Sequence, residues 1–369
     1  MRNPGKMLME KPLVSVAMVV CNVERFLAEA IESILNQTLR DFEFIIVDFG
    51  SVDGSKSVVS RYQAKDSRIK LHVMPHCGLA EARNASCFPA QGSYIAIMDA
   101  DDFAFPDRLE RQVAHLEKHP EIAVLGGQLE TVDESGRRLF PRTYPTSDRE
   151  IRDTLEGTSP FADSAVVMRR QAFCAVEGYR KAFRHNIDYD LWLRLLERYQ
   201  GANLPSPVMY YRVHTSQTSV SSFRQQALEE LVARAAANIR RRGGPDPLWQ
   251  VDEITPHLAK ELGITDADLE RAVVAAHSGQ ISVMWRTSHA PVALRLFHEL
   301  LELKPSQGIP RSAVADGRLA EATIHYREGR PLQALVSAGR ALWSRPAVVG
   351  RAPMRMLRRL AARLKRKKL

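Results

Sequence analysis

The chain has 369 residues, 45% hydrophobic and 26% charged, which suits one large folded domain or a large and a small one and excludes a disordered chain. Its four cysteines, Cys21, Cys77, Cys87 and Cys174, show neither a C-x-x-C pair nor metal-ligand spacing, so a zinc site or disulfide framework has no support and a reducing compartment fits best. The net charge of +9 equals the nine basic residues that stand without an acid between Arg351 and Lys368, leaving the rest of the chain near neutral and any polyanionic partner to the tail.

The apolar run Leu13 to Val23 lacks a small-residue cleavage site and meets Glu24 and Arg25 at once, so it reads as a buried strand and not as a signal peptide. No stretch approaches the ~20 apolar residues of a membrane-spanning helix. From Leu13 onward short β-rich runs alternate with helical patterns, the mark of βαβ units and a largely parallel sheet. Strands are predicted at Val14 to Val20, Phe44 to Val47, Ile69 to Val73 and Tyr94 to Met98. Helices are predicted over Glu24 to Thr38, with Leu27, Ile31, Ile34 and Leu35 on one face, over Ser55 to Gln63 and over Leu79 to Ala90. The fourth strand runs into Asp99-Ala100-Asp101-Asp102, at the carboxyl end where open α/β sheets bind ligands.

After Pro106 a helix carrying Leu109, Val113 and Leu116 precedes a strand, Ile122 to Leu125, and the stretch to about residue 165 reads as polar and turn-rich. A helix over Asp188 to Tyr199 begins with two carboxylates, and Pro205-Ser206-Pro207 opens a segment ending Tyr211-Arg212-Val213-His214. Beyond Phe223 only helical patterns remain, broken at Gly243 to Pro247, with a helix hairpin at Leu319 to Glu328 and Pro331 to Trp343. The domains expected are 12–223, a helical region 224–345 and a basic tail 346–369.

Three carboxylates in four residues repel one another, so Asp99, Asp101 and Asp102 fit a divalent cation, magnesium or manganese given oxygen-only ligands. The bland alternative is a solvated acidic turn capping the next helix. Asp188 and Asp190 are either partners of a helix dipole or include a general base. Arg83, Arg212 and His214 are candidate phosphate ligands, although such residues also serve as surface or core groups. The first strand is followed by Cys21-Asn22-Val23 without glycine, which argues against a dinucleotide fold. Asp48-Phe49-Gly50 has no companion kinase motifs.

In chain order these pieces resemble the family 2 inverting glycosyltransferases of GT-A fold over about residues 12 to 220. The resemblance rests on Val14-Ser15-Val16 with Asn22, Ala30 to Thr38, Ile45-Ile46-Val47-Asp48 with Gly50-Ser51 and Asp53-Gly54-Ser55, Gly78-Leu79-Ala80 and Ala82-Arg83-Asn84-Ala85. It continues through Asp99-Ala100-Asp101-Asp102, Gly178-Tyr179, Asp188 to Arg194 and Tyr211-Arg212-Val213-His214. It implies a Rossmann-like, mainly parallel α/β sheet followed by an all-α region. It implies a nucleotide-sugar donor, UDP-linked by expectation, with Asp99, Asp101 and Asp102 on Mg2+ or Mn2+ and on the donor's ribose and diphosphate. Asp188 would be the base that activates a glycan or lipid-linked acceptor in cell-envelope synthesis. Val19, Cys21, Asp48 and Phe49 would line the nucleotide pocket, with Arg83, Arg212 and His214 on the diphosphate or acceptor.

The chain departs from that family at three places. Phe49 stands where a second aspartate usually accepts a hydrogen bond from the donor base, Cys21 replaces a tyrosine, and Ile187 replaces an acid before the base. The alternative reading is therefore a degenerate homologue serving as a membrane-associated assembly partner. In the tail, Leu357, Leu360, Ala361 and Leu364 share a helical face among basic residues, the pattern of a helix on an anionic lipid surface. A solvated end and RNA binding are the alternatives; no aromatic platform interleaves those charges, so nucleic acid ranks below a membrane surface and is not expected. A cytoplasmic chain, peripheral on the inner membrane face, follows as the expected location.

Overall fold

The computed structural model describes residues 11–215, 222–303 and 305–345; the basic tail with its membrane expectation, 351–369, lies outside the described residues. The chain runs β1 (Val14–Val20), α1 (Glu24–Leu35), β2 (Phe42–Phe49), α2 (Ser55–Gln63), β3 (Ile69–Met74), α3 (Leu79–Cys87), β4 (Tyr94–Asp99), β5 (Phe103–Ala104) and α4 (Arg108–Lys118). It continues through β6 (Ile122–Val132), β7 (Arg138–Arg142), α5 (Asp148–Leu155), a 3-10 turn at Asp163–Ala165, β8 (Val167–Arg169), α6 (Arg170–Ala175), α7 (Ile187–Leu196) and β9 (Gln200–Arg212). Nine strands form one sheet in the order β3-β2-β1-β4-β8-β6-β9-β5, with β7 also paired to β6.

The first four strands are parallel, as the alternating pattern requires. Both faces of β1 and β2 are buried, because helices cover them; this is why the two strands read as continuous apolar runs. α1 lays Phe26, Leu27, Ala30, Ile31 and Ile34 on the sheet. Its first amides find no cap in its own sequence and donate instead to the β2–α2 loop and the start of α2: Val23 to the Ser55 hydroxyl at 3.0 Å and Glu24 to Asp53 at 3.1 Å. In return Asn22, at φ 52°, accepts the Val52 amide at 2.8 Å. The loops that follow β1 and β2 are thus stitched into one rim.

The stretch after Leu125 is more regular than its composition suggests. Gly126 and Gly127 do not break β6 but let it approach β9: a Cβ on Gly126 would lie 2.0 Å from Asn203 Oδ1, and one on Gly127 2.7 Å from Val208. Pro205 and Pro207 sit inside β9, where the β6–β9 register shifts and a missing amide does no harm. α5 is announced by a capping box, the Ser147 hydroxyl accepting from the Glu150 amide.

The chain divides into two compact units, one running to Arg212 and including Val232–Ile254, the other comprising Val213–Leu231 and the chain from Thr255. α8 (Phe223–Arg241) contributes to both. Within the first unit, Arg240 pairs with Glu197 at 2.7 Å and with Asp246, which also pairs with Arg180. The second unit holds α9 (Pro256–Glu261), α10 (Asp266–Arg286), α11 (Ala290–Glu302), α12 (Arg311–Arg327) and α13 (Pro331–Ser344). Gly317 of α12 lets that helix pack against the Phe297 ring, and Gly329 at φ 75° turns α12 into α13. No described helix is long and apolar enough to cross a membrane.

Candidate active site

The carboxyl ends of β1, β2 and β4 come level at one rim. Val19 pairs in register with Val47 of β2 and Asp99 of β4, and Val20 with Asp48. Chain growth changes direction between β1 and β4, so the crevice of an open α/β sheet falls there.

On the β2 side, Asp48 is buried; its Oδ1 accepts the amides of Gly50 at 3.2 Å and Ser51 at 3.0 Å. Its Oδ2 is buried with no protein partner among the described residues. Phe49 is half-buried, stacks on His76 with centroids 6.0 Å apart, and packs with Met74, Cys77 and Leu79 against Val19 and Val47. The neighbouring Cys21 thiol is pushed up by burial and by Asp48 and Asp53. This side of the rim is an apolar shelf over one buried carboxylate.

On the β4 side, Asp99, Asp101 and Asp102 bring one carboxylate oxygen each within 4.8 Å of the others. Asp102 is buried, accepting the Ser164 hydroxyl at 2.8 Å and the Arg212 amide at 2.9 Å. Burial, then Asp101 and Asp99, push its carboxyl well above the usual range; burial also raises Asp99, against the pull of Arg83. Three oxygens this close, in a setting that penalises their charge, fit a hard divalent cation such as magnesium or manganese.

Arg83 is buried and holds Asp99 in an ion pair while reaching Asp163 at 3.2 Å. Burial works against its cation, but Asp99 and Asp163 override it and raise its pKa. Asp163 was not singled out in the sequence, since a three-residue turn leaves no periodicity to read. Burial pushes its carboxyl to about 7, with Arg83 opposing and Asp188 and Asp99 adding. Arg83 therefore joins the acidic turn to a second set of carboxylates.

Asp188 stands in the first turn of α7. Burial raises it to about 6, two backbone amides pull it down, and Asp99 adds to the rise. Asp190, its neighbour in the sequence pattern, is a different case: it is buried and pairs with Arg194 at 2.8 Å and Arg180 at 3.3 Å. Arg194 in turn donates to the Gly178 carbonyl at 2.7 Å. Asn84 locks the same turn, donating to the Tyr179 carbonyl at 2.7 Å and accepting its amide at 2.9 Å. Gly178 is at φ 66°, and a Cβ there would lie 2.7 Å from Asn84 Oδ1 and 2.8 Å from the Phe173 ring. Gly178→Ala is expected to cost about 2–4 kcal/mol, from the left-handed backbone and overpacking together, as a lowered melting temperature by circular dichroism.

Arg212, expected as a phosphate ligand, is buried: it donates to the Asp101 carbonyl at 2.9 Å and the Glu134 carbonyl at 3.0 Å and pairs with Glu29. In this geometry it orders the acidic turn. His214 is buried and falls in the second compact unit. A further buried cation, Arg108, donates to the carbonyls of Ile97 at 2.9 Å and Val166 at 3.2 Å beneath β4. Burial lowers it to about 9, against the pull of Asp102 and Asp99.

A Rossmann-like sheet with a carboxylate cluster at its switch point, followed by helices, defines a protein of the GT-A class. The family model described as Glycosyl transferase family 2 matches residues 15–176. EpsE of Bacillus subtilis, named as a glycosyltransferase, is 42% identical over 198 residues, covering 52% of this chain and 70% of EpsE. The O-antigen biosynthesis glycosyltransferase WbnJ of Escherichia coli is 29% identical, covering 57% of this chain and 83% of WbnJ. The crystal structure of S. aureus TarS 1–349 in complex with UDP-GlcNAc shares the fold at a TM-score of 0.51 and 15% identity, over 88% of this chain and 90% of that one. The chain belongs to glycosyl transferase family 2 and is a glycosyltransferase.

Proposed function

We propose that the chain moves a sugar from a nucleoside-diphosphate sugar to an acceptor hydroxyl with inversion at the anomeric carbon. The observation that supports this best is the carboxylate cluster Asp99, Asp101 and Asp102 linked through Arg83 to Asp163, on which the charge of Asp188 acts. The acceptor oxygen attacks the anomeric carbon, the bond from that carbon to the diphosphate oxygen breaks, and the hydroxyl proton passes to Asp188. Asp99, Asp101 and Asp102 would hold Mg2+ or Mn2+, which when bound neutralises charge on a leaving diphosphate. Arg83 keeps Asp99 oriented, and Asp163 shares its guanidinium.

The donor proposed is a UDP-sugar with its base on the Phe49 shelf. The test is a thermal-shift series of UDP, GDP and dTDP with and without Mn2+: UDP with Mn2+ gives the largest rise, and no rise with any nucleotide overturns the reading. Retention of all four aspartates, at 99, 101, 102 and 188, argues against a degenerate homologue. The names of relatives such as WbnJ support a cell-envelope glycan or lipid-linked acceptor. The tail would then hold the enzyme to an anionic membrane surface at roughly 1 kcal/mol per basic residue. Removing 346–369 is expected to abolish cosedimentation with phosphatidylglycerol vesicles while leaving the nucleotide shift intact.

A further inference from the structure

The wall on the far side of the acidic turn from Phe49 is built by β7 and β9. β4 and β6 both run antiparallel to β8, hence in the same direction. β8 pairs with β6 at Val124 and Leu125, and β7 pairs with it further along, from Leu129 to Val132. β9 takes the other edge of β6 over its whole length, so β7 occupies the β8 column beyond the end of β8. That column is one strand from β4 and three from β2, roughly 14 Å from the Phe49 shelf at the usual inter-strand spacing. A nucleotide over β2 and β1 leaves this wall to whatever meets the sugar from its other side.

Arg142, the last residue of β7, pairs in register with Leu129. Its guanidinium lies over the Tyr211 ring, 4.8 Å from the centroid. Among the described residues no carboxylate forms an ion pair with it, whereas Arg83, Arg180, Arg194 and Arg212 each hold at least one. Tyr144 completes the wall two residues on. Its amide donates to Gln128 Oε1 at 2.6 Å, and the Gln128 amide nitrogen donates to the Leu204 carbonyl at 2.8 Å. This brace ties the Tyr144 segment to β9.

The carboxylates of the acidic turn and Asp188 act on this wall. Burial raises both phenols, Tyr211 to about 12, so each stays a neutral hydrogen-bond donor. The charges of Asp102 and Asp188 act on Tyr144, and those of Asp102 and Asp101 on Tyr211. Burial works against the Arg142 cation, but Tyr144, the Tyr211 hydroxyl that it meets and the charge of Asp102 override it and keep it charged, and without an ion-pair partner among the described residues its fork remains open to a ligand anion. Its planar fork matches a carboxylate or a phosphate bidentately, and the two partly buried rings, packed against the core of the sheet, hold it in place from beside and beneath. The surrounding aspartates would repel an anion elsewhere in the cleft, so its place is confined to Arg142.

We propose that Arg142, Tyr144 and Tyr211 form the acceptor subsite, and that the acceptor carries an oxyanion, a carboxylate or a phosphate, close to its reacting hydroxyl. This rests on the transferase reading above. The test is titration calorimetry with glucose, glucuronate and glucose 6-phosphate on the full chain saturated with UDP and Mn2+, for the wild type, Arg142→Gln and Arg142→Lys. The wild type is expected to bind at least one anionic sugar about tenfold or more tightly than glucose, the range of a charge-assisted pair. Whether glucuronate or the phosphate wins separates the two sources of the anion. Arg142→Gln loses the preference, Arg142→Lys keeps part of it, and both retain the UDP and Mn2+ thermal shift. The proposal is overturned if the wild type prefers neither anionic sugar, if Arg142→Gln keeps the preference, or if that variant loses the UDP shift, which would assign Arg142 to the donor. A wild type without any UDP shift sinks the transferase reading itself, and this proposal with it.

Discussion

Asp188→Asn is expected to lower kcat by roughly 10²–10⁴-fold, the usual contribution of a positioned general base, while the UDP and Mn2+ thermal shift stays as in the wild type. The amide fills the same space but takes no proton. In the wild type the base works only when ionised. With its carboxyl raised to about 6 from an ordinary 3.8, turnover should fall as pH drops through about 6, not near 4. Stability moves the opposite way. The folded pKa lies above the unfolded one, so this group's stabilising contribution is complete below the unfolded value and is lost as pH rises through about 6. In metal-free buffer, Asp188→Asn should therefore match the wild type near pH 4 and be more stable at pH 8, by roughly 3 kcal/mol. A variant with reduced turnover and no pH-dependent gain in melting temperature would mean that Asp188 acts through geometry alone.

Asp102→Asn is expected to remove the metal-dependent part of the nucleotide thermal shift and to lower kcat/KM by about three orders of magnitude, some 4 kcal/mol. Asparagine keeps the shape of the turn: its carbonyl still accepts the Arg212 amide, and the Ser164 hydroxyl rotates to accept from the new amide. Asp102→Ala would leave both groups unpaired and mix folding with chemistry. Direct titration of Mn2+ by paramagnetic resonance checks the result without turnover. If Asp102→Asn binds Mn2+ and UDP as tightly as the wild type, the acidic turn is structural and not a cation site.

The sequence by itself determined the first half of the sheet. Apolar runs of strand length, separated by amphipathic helices, allow few arrangements, and a parallel sheet puts the ends of β1, β2 and β4 at one rim. Asp48 and Asp99 to Asp102 were legible for that reason: each lies at or just past the carboxyl end of a strand. Local pattern was misleading where tertiary contact reversed its meaning. Gly126, Gly127, Pro205 and Pro207 look like breakers but sit inside two long paired strands, because close approach and shifted register use the properties that would otherwise end a strand. The Ser147–Glu150 capping box was a signal that the sequence did carry.

Only the tertiary structure decided which candidates share a site. Arg83 and Asp163 are 80 positions apart in sequence and meet because α3 and the 3-10 turn converge beside β4. Asp188 and Asp190 look equivalent in sequence, yet two arginines neutralise Asp190, and burial leaves Asp188 raised. Arg142 reads as one basic residue among 52; its lack of an ion-pair partner among the described residues and its place over Tyr211 exist only after β6, β7 and β9 have paired. The succession of strands and helices along the chain follows from local periodicity, which a sequence carries. Charge compensation depends on which distant groups come within a few ångströms, and that is fixed only by packing.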